Sequence, residues 1–541
     1  MTAAVSELER STSVLVVGGS LVGLSTAMFL ASEGVPTVLV ERHPGSSPHP
    51  RAIGFTATTM EAYRVAGLTS QIPQAPPSAR LRRARIESLA GAWFEEIDWT
   101  PKKTGEGPQA ARLACSPYTG AAIAQDRLEP MLRAKAIALG ADVRLETELV
   151  GFTQDDDGVT AFLRARDGEE FQLRAAYMIA ADGQRSQVRE ALGIDRTGRG
   201  HVRTLRSVLF RQTGRQTRGR ALDAYLEKGV SQFEIDQPDL KAFLTTYGDG
   251  RWVLMFSDDG ERDERDETTS RLLVNKAIGR SDLEIEIITT GRWELSALIA
   301  DRFSSGRVFL VGDAAHVLPP SRGGFGANTG IADAHNLAWK LAAVLSGASS
   351  PRLLETYDAE RRPVAWLRHD QIFARPDYKA VAGGAAKDVE VIDDDAMEFG
   401  QLYRSTAVLG AGDELPPALR PDQWAGQPGT RAPHVPLSGD EHRSTLDLFG
   451  RGWVLLADDD RWRLAASKAT HECRVALKVL RLGVDVQACE PGAVRAALGL
   501  GKGGASLVRP DGTIAWRSVE LPADPARVLT DALVDVCAVR A

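Results

Sequence analysis

The strongest constraint on this chain is one continuous stretch, Arg307 to Leu345, which reads RVFLVGDAAHVLPPSRGGFGANTGIADAHNLAWKLAAVL. Val308 to Val311 are four β-compatible apolar residues that end abruptly at Gly312-Asp313, the pattern of a buried strand with a carboxylate at its tip. The segment that follows is rich in Gly and Pro. It opens a helix whose apolar residues Ile331, Ala334, Ala338, Leu341 and Leu345 recur at helical spacing. A strand tip, an acid and a helix N-terminus therefore meet in one place. The unpaired N–H groups and positive pole of the helix suit a ligand that becomes anionic, and Asp313 suits one with hydroxyls. A flavin, reduced to an anion and carrying a ribitol chain, meets both demands.

A second signature lies near the start. Val14 to Val17 form a short valine-rich strand before GGSLVGLSTAMFLASEG, whose helix ends at Gly34, and a second strand from Thr37 to Val40 closes with Glu41. This is a βαβ dinucleotide fingerprint. Gly18 makes the tight turn, Gly23 permits helix packing, and Glu41 stands where an acid takes a ribose hydroxyl. Ser20 replaces the second glycine, so a small hydroxyl comes close to the pyrophosphate. Leu21 and Val22 at the helix start, and Arg42 beside the acid, complete this candidate set.

The motif GDAAHxxPPxxGGxGxN followed by DAxNLAWKL resembles the second flavin motif of the class A flavoprotein aromatic hydroxylases, and the likeness runs from end to end of the chain. The resemblance implies FAD as cofactor, with Asp313 on the ribitol and Pro320, Gly326, Ala327 and Asn328 in the loop against the isoalloxazine. It places Arg51 near the flavin and the approach of the nicotinamide donor, Gln125 at the diphosphate or ribitol, and the backbone near Leu149 and Val150 at the adenine. YMIAADGQRSQVREALG resembles the family's DG motif, here Ala181, Asp182, Gly183, Ser186 and Arg189, which serves both flavin and reduced nicotinamide. His316 and His335 lie inside a flavin motif and support its loop and helix.

At 541 residues two to four domains are expected. The implied fold is α/β: a discontinuous Rossmann-like FAD-binding domain (1–76, 112–190 and 293–400), an antiparallel-sheet substrate domain (77–111 and 191–292) and a thioredoxin-like domain (413–541). RARIESLAG and WFEEIDW read as strands of another layer, and LRSVLF, AFLTTY, RWVLMF and LEIEIITTGRW alternate as strands of the substrate sheet. Tyr247 and Trp252 lie in that sheet, where core is the preferred role over pocket. DDGERDERDE reads as a solvated loop. A helix containing Arg368, His369 and Arg375 follows. After a Pro/Gly-rich linker, PPALRPDQWAGQPGTRAPHVPL, the strands WVLLA, GASLVRP and TIAWRS alternate with the helical stretches RLAASKATHECRVALKVL and ADPARVLTDALVDV. This tail resembles the thioredoxin-like domain of bacterial phenol and polyketide hydroxylases. It lacks a CxxC pair, which turns the expectation from dithiol exchange to a structural or dimerisation role and leaves a homodimer open.

A formal charge of −7 argues against nucleic acid and anionic membrane as partners. The four cysteines, Cys115, Cys473, Cys489 and Cys537, are far apart and suggest neither a metal site nor a disulfide framework. The opening MTAAVSELERSTS lacks a signal-peptide pattern and no apolar run approaches a membrane span, so a cytoplasmic location is expected.

The likeness is closest to hydroxylases that tailor aromatic polyketides such as anthracyclines and angucyclines. It implies that NADPH or NADH, visiting transiently, reduces the FAD, that O2 adds to give a C4a-hydroperoxide, and that one oxygen atom passes to a polycyclic phenol. Two alternatives stand beside it: a Baeyer–Villiger or ring-opening oxygenase on a polyketide quinone or ketone, and a non-enzymatic FAD-binding scaffold. The WxWxIP element of flavin halogenases is missing. The catalytic residue is unassigned, with Arg375, Tyr247 and His49 as candidates.

Overall fold

A computed structural model of the chain describes residues 11–76, 82–98, 115–213, 221–258, 267–320, 324–375, 378, 389–439 and 443–539. Most of the charged loop expected at DDGERDERDE (259–266) lies outside the described residues, as do Trp99 of WFEEIDW and residues 321–323 of the flavin motif.

Three sheets carry the fold. In the first, the strands Val308–Leu310, Glu170–Ala180, Ser11–Val17, Thr37–Glu41 and Asp142–Leu145 lie side by side and parallel. Val14, Leu15 and Val16 are fully buried, as an all-parallel centre covered on both faces requires. The helices Leu21–Ser32, Gln125–Ala138 and Phe325–Leu345 contribute to that cover, Leu21–Ser32 packing against both of the others. A hairpin, Thr147–Gln154 with Val159–Ala165, joins the edge of Glu170–Ala180 antiparallel, its turn at the polar DDDG.

The second sheet has eight strands, in the order His316–Val317, Ile285–Ala300, Arg196–Gln212, Arg251–Ser257, Leu240–Thr246, Gln232–Gln237, Arg82–Ile86 and Trp93–Asp98. All its pairings are antiparallel except Gln232–Gln237 with Arg82–Ile86. Period-2 alternation divides its faces: Trp252, Leu254 and Phe256 enter a core with Val274 and Ile278, while Val253, Met255 and Ser257 face a large cavity. Trp252 is therefore core. Two of its pieces were not expected: the strand Gln232–Gln237, whose Gln232, Glu234 and Asp236 border the cavity, and the helix Glu267–Ile278, which covers the far side. The sheet is tied to the flavin motif by pairing of Ile299 with His316.

The third sheet, Leu477–Arg481, Trp453–Ala457, Ala505–Val508 and Ile514–Ser518, carries the helices Arg461–Cys473 and Pro525–Val536 in a thioredoxin-like arrangement. One expectation fails here. The run RLAASKATHECRVALKVL is not one helix: it stops at Cys473, Arg474 turns left-handed at φ 55°, and Leu477–Arg481 becomes a strand parallel to Trp453–Ala457. Ala, Leu and Lys suit a helix locally, but pairing in the sheet overrides that preference. The expected linker is likewise docked, with Trp424 Nε1 donating to Gly400 O at 2.7 Å and Arg431 forking onto Glu61 at 2.6 and 2.7 Å. Arg375 is not inside its expected helix either; it caps the end of Arg352–Ala374 in extended conformation.

Candidate cofactor and active site

The parallel ladder sets Val17 opposite Val40 and Ala180, and Ala180 opposite Leu310. Four chain segments thus leave the sheet at adjacent tips and present Gly18, Glu41, Asp182 and Asp313 to one space, the crevice at the carboxyl ends where α/β sheets bind ligands. Gly18 has φ +106°, and a Cβ there would meet Ala181 O at 2.4 Å. Gly23 does not touch the cavity; its missing Cβ would lie 1.8 Å from Gly18 O, so its role is the close packing of helix on turn. Glu41 Oε2 accepts from Gly19 N at 2.6 Å, which folds the turn over the acid. Ser20, Leu21, Val22 and Arg42 line the same wall.

Sequence reasoning missed the residue that organises this corner. Glu129 is 2% exposed and its Oε1 accepts from Ser20 Oγ at 2.7 Å, Leu21 N at 3.1 Å and Gln125 Nε2 at 2.8 Å. A carboxylate at a helix N-terminus satisfies an orphan donor and complements the dipole. The signal was Gln125 and Glu129 at i, i+4 on one helix, which places both on one face. Gln125 Oε1 in turn accepts from Arg51 N and Ala52 N, each at 3.3 Å, and so fixes the loop that carries Arg51.

Across the crevice, Gly312 (φ +61°) turns the chain and Arg51 Nη1 lies 3.3 Å from Asp313 Oδ2. Asp182 Oδ2 accepts from Val188 N at 3.2 Å, whereas its buried Oδ1 has no partner; burial raises its carboxyl above the usual range. Arg189 is buried and donates to Ala314 O at 3.4 Å, joining the DG motif to the Asp313 turn. Asn328 Oδ1 accepts from Thr59 Oγ1 at 2.6 Å and Thr56 N at 3.1 Å, holding the start of the flavin helix against the cap and first turn of the helix Ala57–Val65. Leu149, Pro320, Gly326 and Ala327 also border the cavity.

The cavity is continuous and measures about 2760 Å³, well beyond the roughly 300–1,000 Å³ of a single small-ligand site. It runs from the fingerprint to the second sheet, where Phe243, Met255 and Trp293 form an apolar, aromatic wall. Room for a dinucleotide plus a ring system, a glycine turn that a Cβ would fill and an unpartnered Asp182 oxygen together fit FAD.

The three catalytic candidates separate here. Tyr247 lines the cavity, yet its hydroxyl donates to Pro50 O at 2.8 Å and burial raises its pKa, so it braces the Arg51 loop. His49 also lines it, with Nε2 2.7 Å from Ser207 Oγ and its ring edge-on to Trp293; burial lowers its pKa, favouring the neutral ring. Arg375 is buried against Asp394 at 2.5 Å, and it is Asp394 that reaches the cavity wall.

Behind the flavin helix lies a network that the sequence did not disclose. Asp333 accepts from His316 Nε2 at 2.6 Å, Arg361 Nε at 2.8 Å and Gly312 N at 3.2 Å. Burial pushes its pKa up, but His316 and Arg361 outweigh that and hold it at about 2. Two turns further along the flavin helix, Lys340 Nζ meets Glu360 at 2.8 Å; Glu360 also takes Arg509 at 2.6 and 2.9 Å, and Arg509 pairs with Asp511. Arg509 and Asp511 belong to the thioredoxin-like domain. Through them, and through Trp453 edge-on to Trp339, that domain is built into the support of the flavin helix.

Residues 11–371 match the FAD binding domain family and residues 425–538 the C-terminal domain of aromatic-ring hydroxylases. The chain is 40% identical over 538 residues to a 4-methyl-5-nitrocatechol 5-monooxygenase of Burkholderia sp, covering 96% of each chain. It is 39% identical to an aklavinone 12-hydroxylase of Streptomyces purpurascens, covering 97% of this chain and 98% of the relative. Among solved structures, a ternary complex of aklavinone-11 hydroxylase with FAD and aklavinone superposes with a TM-score of 0.86 at 38% identity, over 97% of this chain and 99% of that one.

Proposed function

The chain belongs to the FAD-dependent aromatic-ring hydroxylases and is a flavoprotein monooxygenase, and from that premise we propose that it inserts one oxygen atom of O2 into a polycyclic, polyketide-type phenol at the expense of NADPH or NADH. The observation that carries the substrate class is the cavity itself, which continues past the cofactor corner under the aromatic wall of the second sheet.

When bound, FAD supplies the electron transfer and oxygen activation; the protein supplies binding, orientation and electrostatics. The Gly18–Leu21 turn offers backbone N–H groups and the positive pole of a helix to the diphosphate, and Glu41 offers its carboxylate to a ribose. Asp313 takes ribitol hydroxyls. The backbone from Gly326 to Asn328, at the start of a 21-residue helix, favours negative charge on the ring edge beside it. Phe243, Met255 and Trp293 stack against the substrate rings and exclude water. Arg51 and Asp182, which line the same cavity, would meet the nicotinamide donor.

The domain division 1–76, 112–190 and 293–400 for FAD, 77–111 and 191–292 for substrate, and 413–541 for the thioredoxin-like unit goes with this reading. So do action in the cytoplasm and a homodimer, which light scattering reads directly. Among the described residues no helix is long and apolar enough to cross a membrane.

The test is NADPH oxidation in air by the purified yellow protein with a panel of polycyclic phenols and quinones, products identified by mass spectrometry. Stimulated oxidation with one oxygen gained and the rings intact supports hydroxylation. An opened or lactonised ring would replace it with the Baeyer–Villiger reading, and flavin binding without any stimulated turnover would favour a scaffold.

A further inference from the structure

Arg368 is 6% exposed near the end of the Arg352–Ala374 helix. It lines the large cavity and also a smaller chamber of about 150 Å³ behind the flavin helix. Its surroundings hold it without neutralising it. Nη1 donates to Thr329 Oγ1, the guanidinium carbon lies 5.3 Å from the centre of the Phe325 ring, and Nε has no hydrogen-bond partner. Among the described residues no carboxylate comes within 4.0 Å of it. The nearby acids are engaged elsewhere: Asp333 by His316 and Arg361, and Glu398 Oε1 by Ala57 N at 2.8 Å.

Arg375 gives an internal contrast. It lies 6.0 Å from the same Phe325 ring but is paired with Asp394. Of two buried arginines on one aromatic ring, one is compensated and the other is not. An uncompensated buried guanidinium is costly, and the cost is offset where an anion is to be bound. Burial, with like charge from Arg361, lowers its pKa to about 10, so it remains a cation at neutral pH.

We propose that Arg368 is a substrate-binding residue, the cation that receives the ionised oxygen of a phenolate. The assignment rests on the aromatic-hydroxylase reading of the cavity. It also fits a site with no assigned base: Tyr247 donates its hydroxyl to Pro50 O, and His49 is a neutral ring held through Nε2 on Ser207 with Nδ1 unpartnered. A phenol whose O–H bond breaks in solution, its proton passing to water, arrives as the electron-rich phenolate and needs no base inside the site. Arg368 then selects that form and holds it beside Phe325, the first residue of the flavin helix.

The experiment uses the FAD-loaded, oxidised enzyme with two probes, 4-nitrophenolate at a pH where it is ionised and its neutral methyl ether 4-nitroanisole. Binding is read from the perturbed flavin spectrum and the phenolate band. Arg368→Gln is expected to weaken the phenolate by about tenfold or more, hydrogen bonds to ionised groups being the strong class, with the anisole changed less than about twofold. Arg368→Lys should recover most of the loss, and FAD content should stay unchanged in both variants. A purely structural brace on Thr329 would weaken both probes alike, and that result overturns the proposal. So would a Gln variant that shifts the flavin reduction potential while phenolate affinity stands, because the anion served would then be the reduced flavin. If the parent binds neither probe while retaining FAD, the aromatic reading falls and the assignment with it; anisole binding with no dependence on Arg368 removes the assignment alone.

Discussion

Replacing Glu360 with glutamine removes one charge from a buried cluster that balances as it stands. Lys340 and Arg509 are the cations and Glu360 and Asp511 the anions, with side chains at most 4% exposed. Glutamine keeps the shape, so the effect is electrostatic. Removing one partner of a buried pair costs about 3–5 kcal/mol. Lys340 limits the damage. Burial, only partly offset by Glu360, holds its pKa at about 8, so without Glu360 it sheds its proton near neutrality and leaves Arg509 with Asp511. The expected loss at pH 7 is therefore at the lower end, about 3 kcal/mol. The pH dependence carries a sign. An unfolded lysine binds its proton up to about pH 10.4, so where the folded lysine is neutral the unfolded state holds more protons and stability rises with pH. In the parent that rise begins above pH 8; in the variant it begins below. Thermal unfolding of the FAD-loaded protein, followed by flavin fluorescence and far-ultraviolet circular dichroism from pH 6 to 9, measures both effects, and adding Lys340→Met should restore part of the loss. A Glu360→Gln protein within about 0.5 kcal/mol of the parent, the scatter expected of an inconsequential surface change, would refute the reasoning, as would identical pH slopes.

Other outcomes follow from single contacts. A Cβ on Gly330 would lie 2.6 Å from Val22 Cγ2 and 2.8 Å from Gly312 Cα. Gly330→Ala therefore pushes the flavin helix off the Asp313 turn at about 1–3 kcal/mol, read by fluorescence titration as FAD binding weakened roughly 5- to 150-fold. Asp313→Ala leaves the fold intact and weakens FAD by about tenfold, as loss of a hydrogen bond to a charged group predicts. Because Asp333 is held at about 2 in the folded chain, its contribution is present above the unfolded carboxylate value near 3.9 and is lost as pH falls towards 2; acid titration by circular dichroism should lose amplitude there, and Asp333→Asn should remove that component.

The strands that carry function were legible because each is short, apolar and ends at a polar residue or a glycine: Val14–Val17 before Gly18, Thr37–Val40 running out at Glu41, Val308–Leu310 before Gly312. What escaped was set by partners distant in sequence. Leu477–Arg481 is a strand because Trp453–Ala457 offers it an edge, not because its residues exclude a helix. Gln232–Gln237 alternates, with Phe233 and Ile235 in the core and Gln232, Glu234 and Asp236 bordering the cavity, but only two apolar residues carry that pattern. Glu129 matters through contacts with residues 108 and 109 positions away, and Arg509 meets Glu360 across 149. Charges buried in pairs leave no local trace, since each residue alone looks like surface. The same holds for Arg368, which only the three-dimensional arrangement separates from the compensated Arg375.

The most direct test of the central claim is turnover under isotopically heavy dioxygen with a phenol that stimulates NADPH oxidation. Monooxygenation predicts one heavy atom on an aromatic carbon of the product, the other in water, and one NADPH consumed per turnover. A product that carries no heavy oxygen, or two heavy atoms, would contradict it.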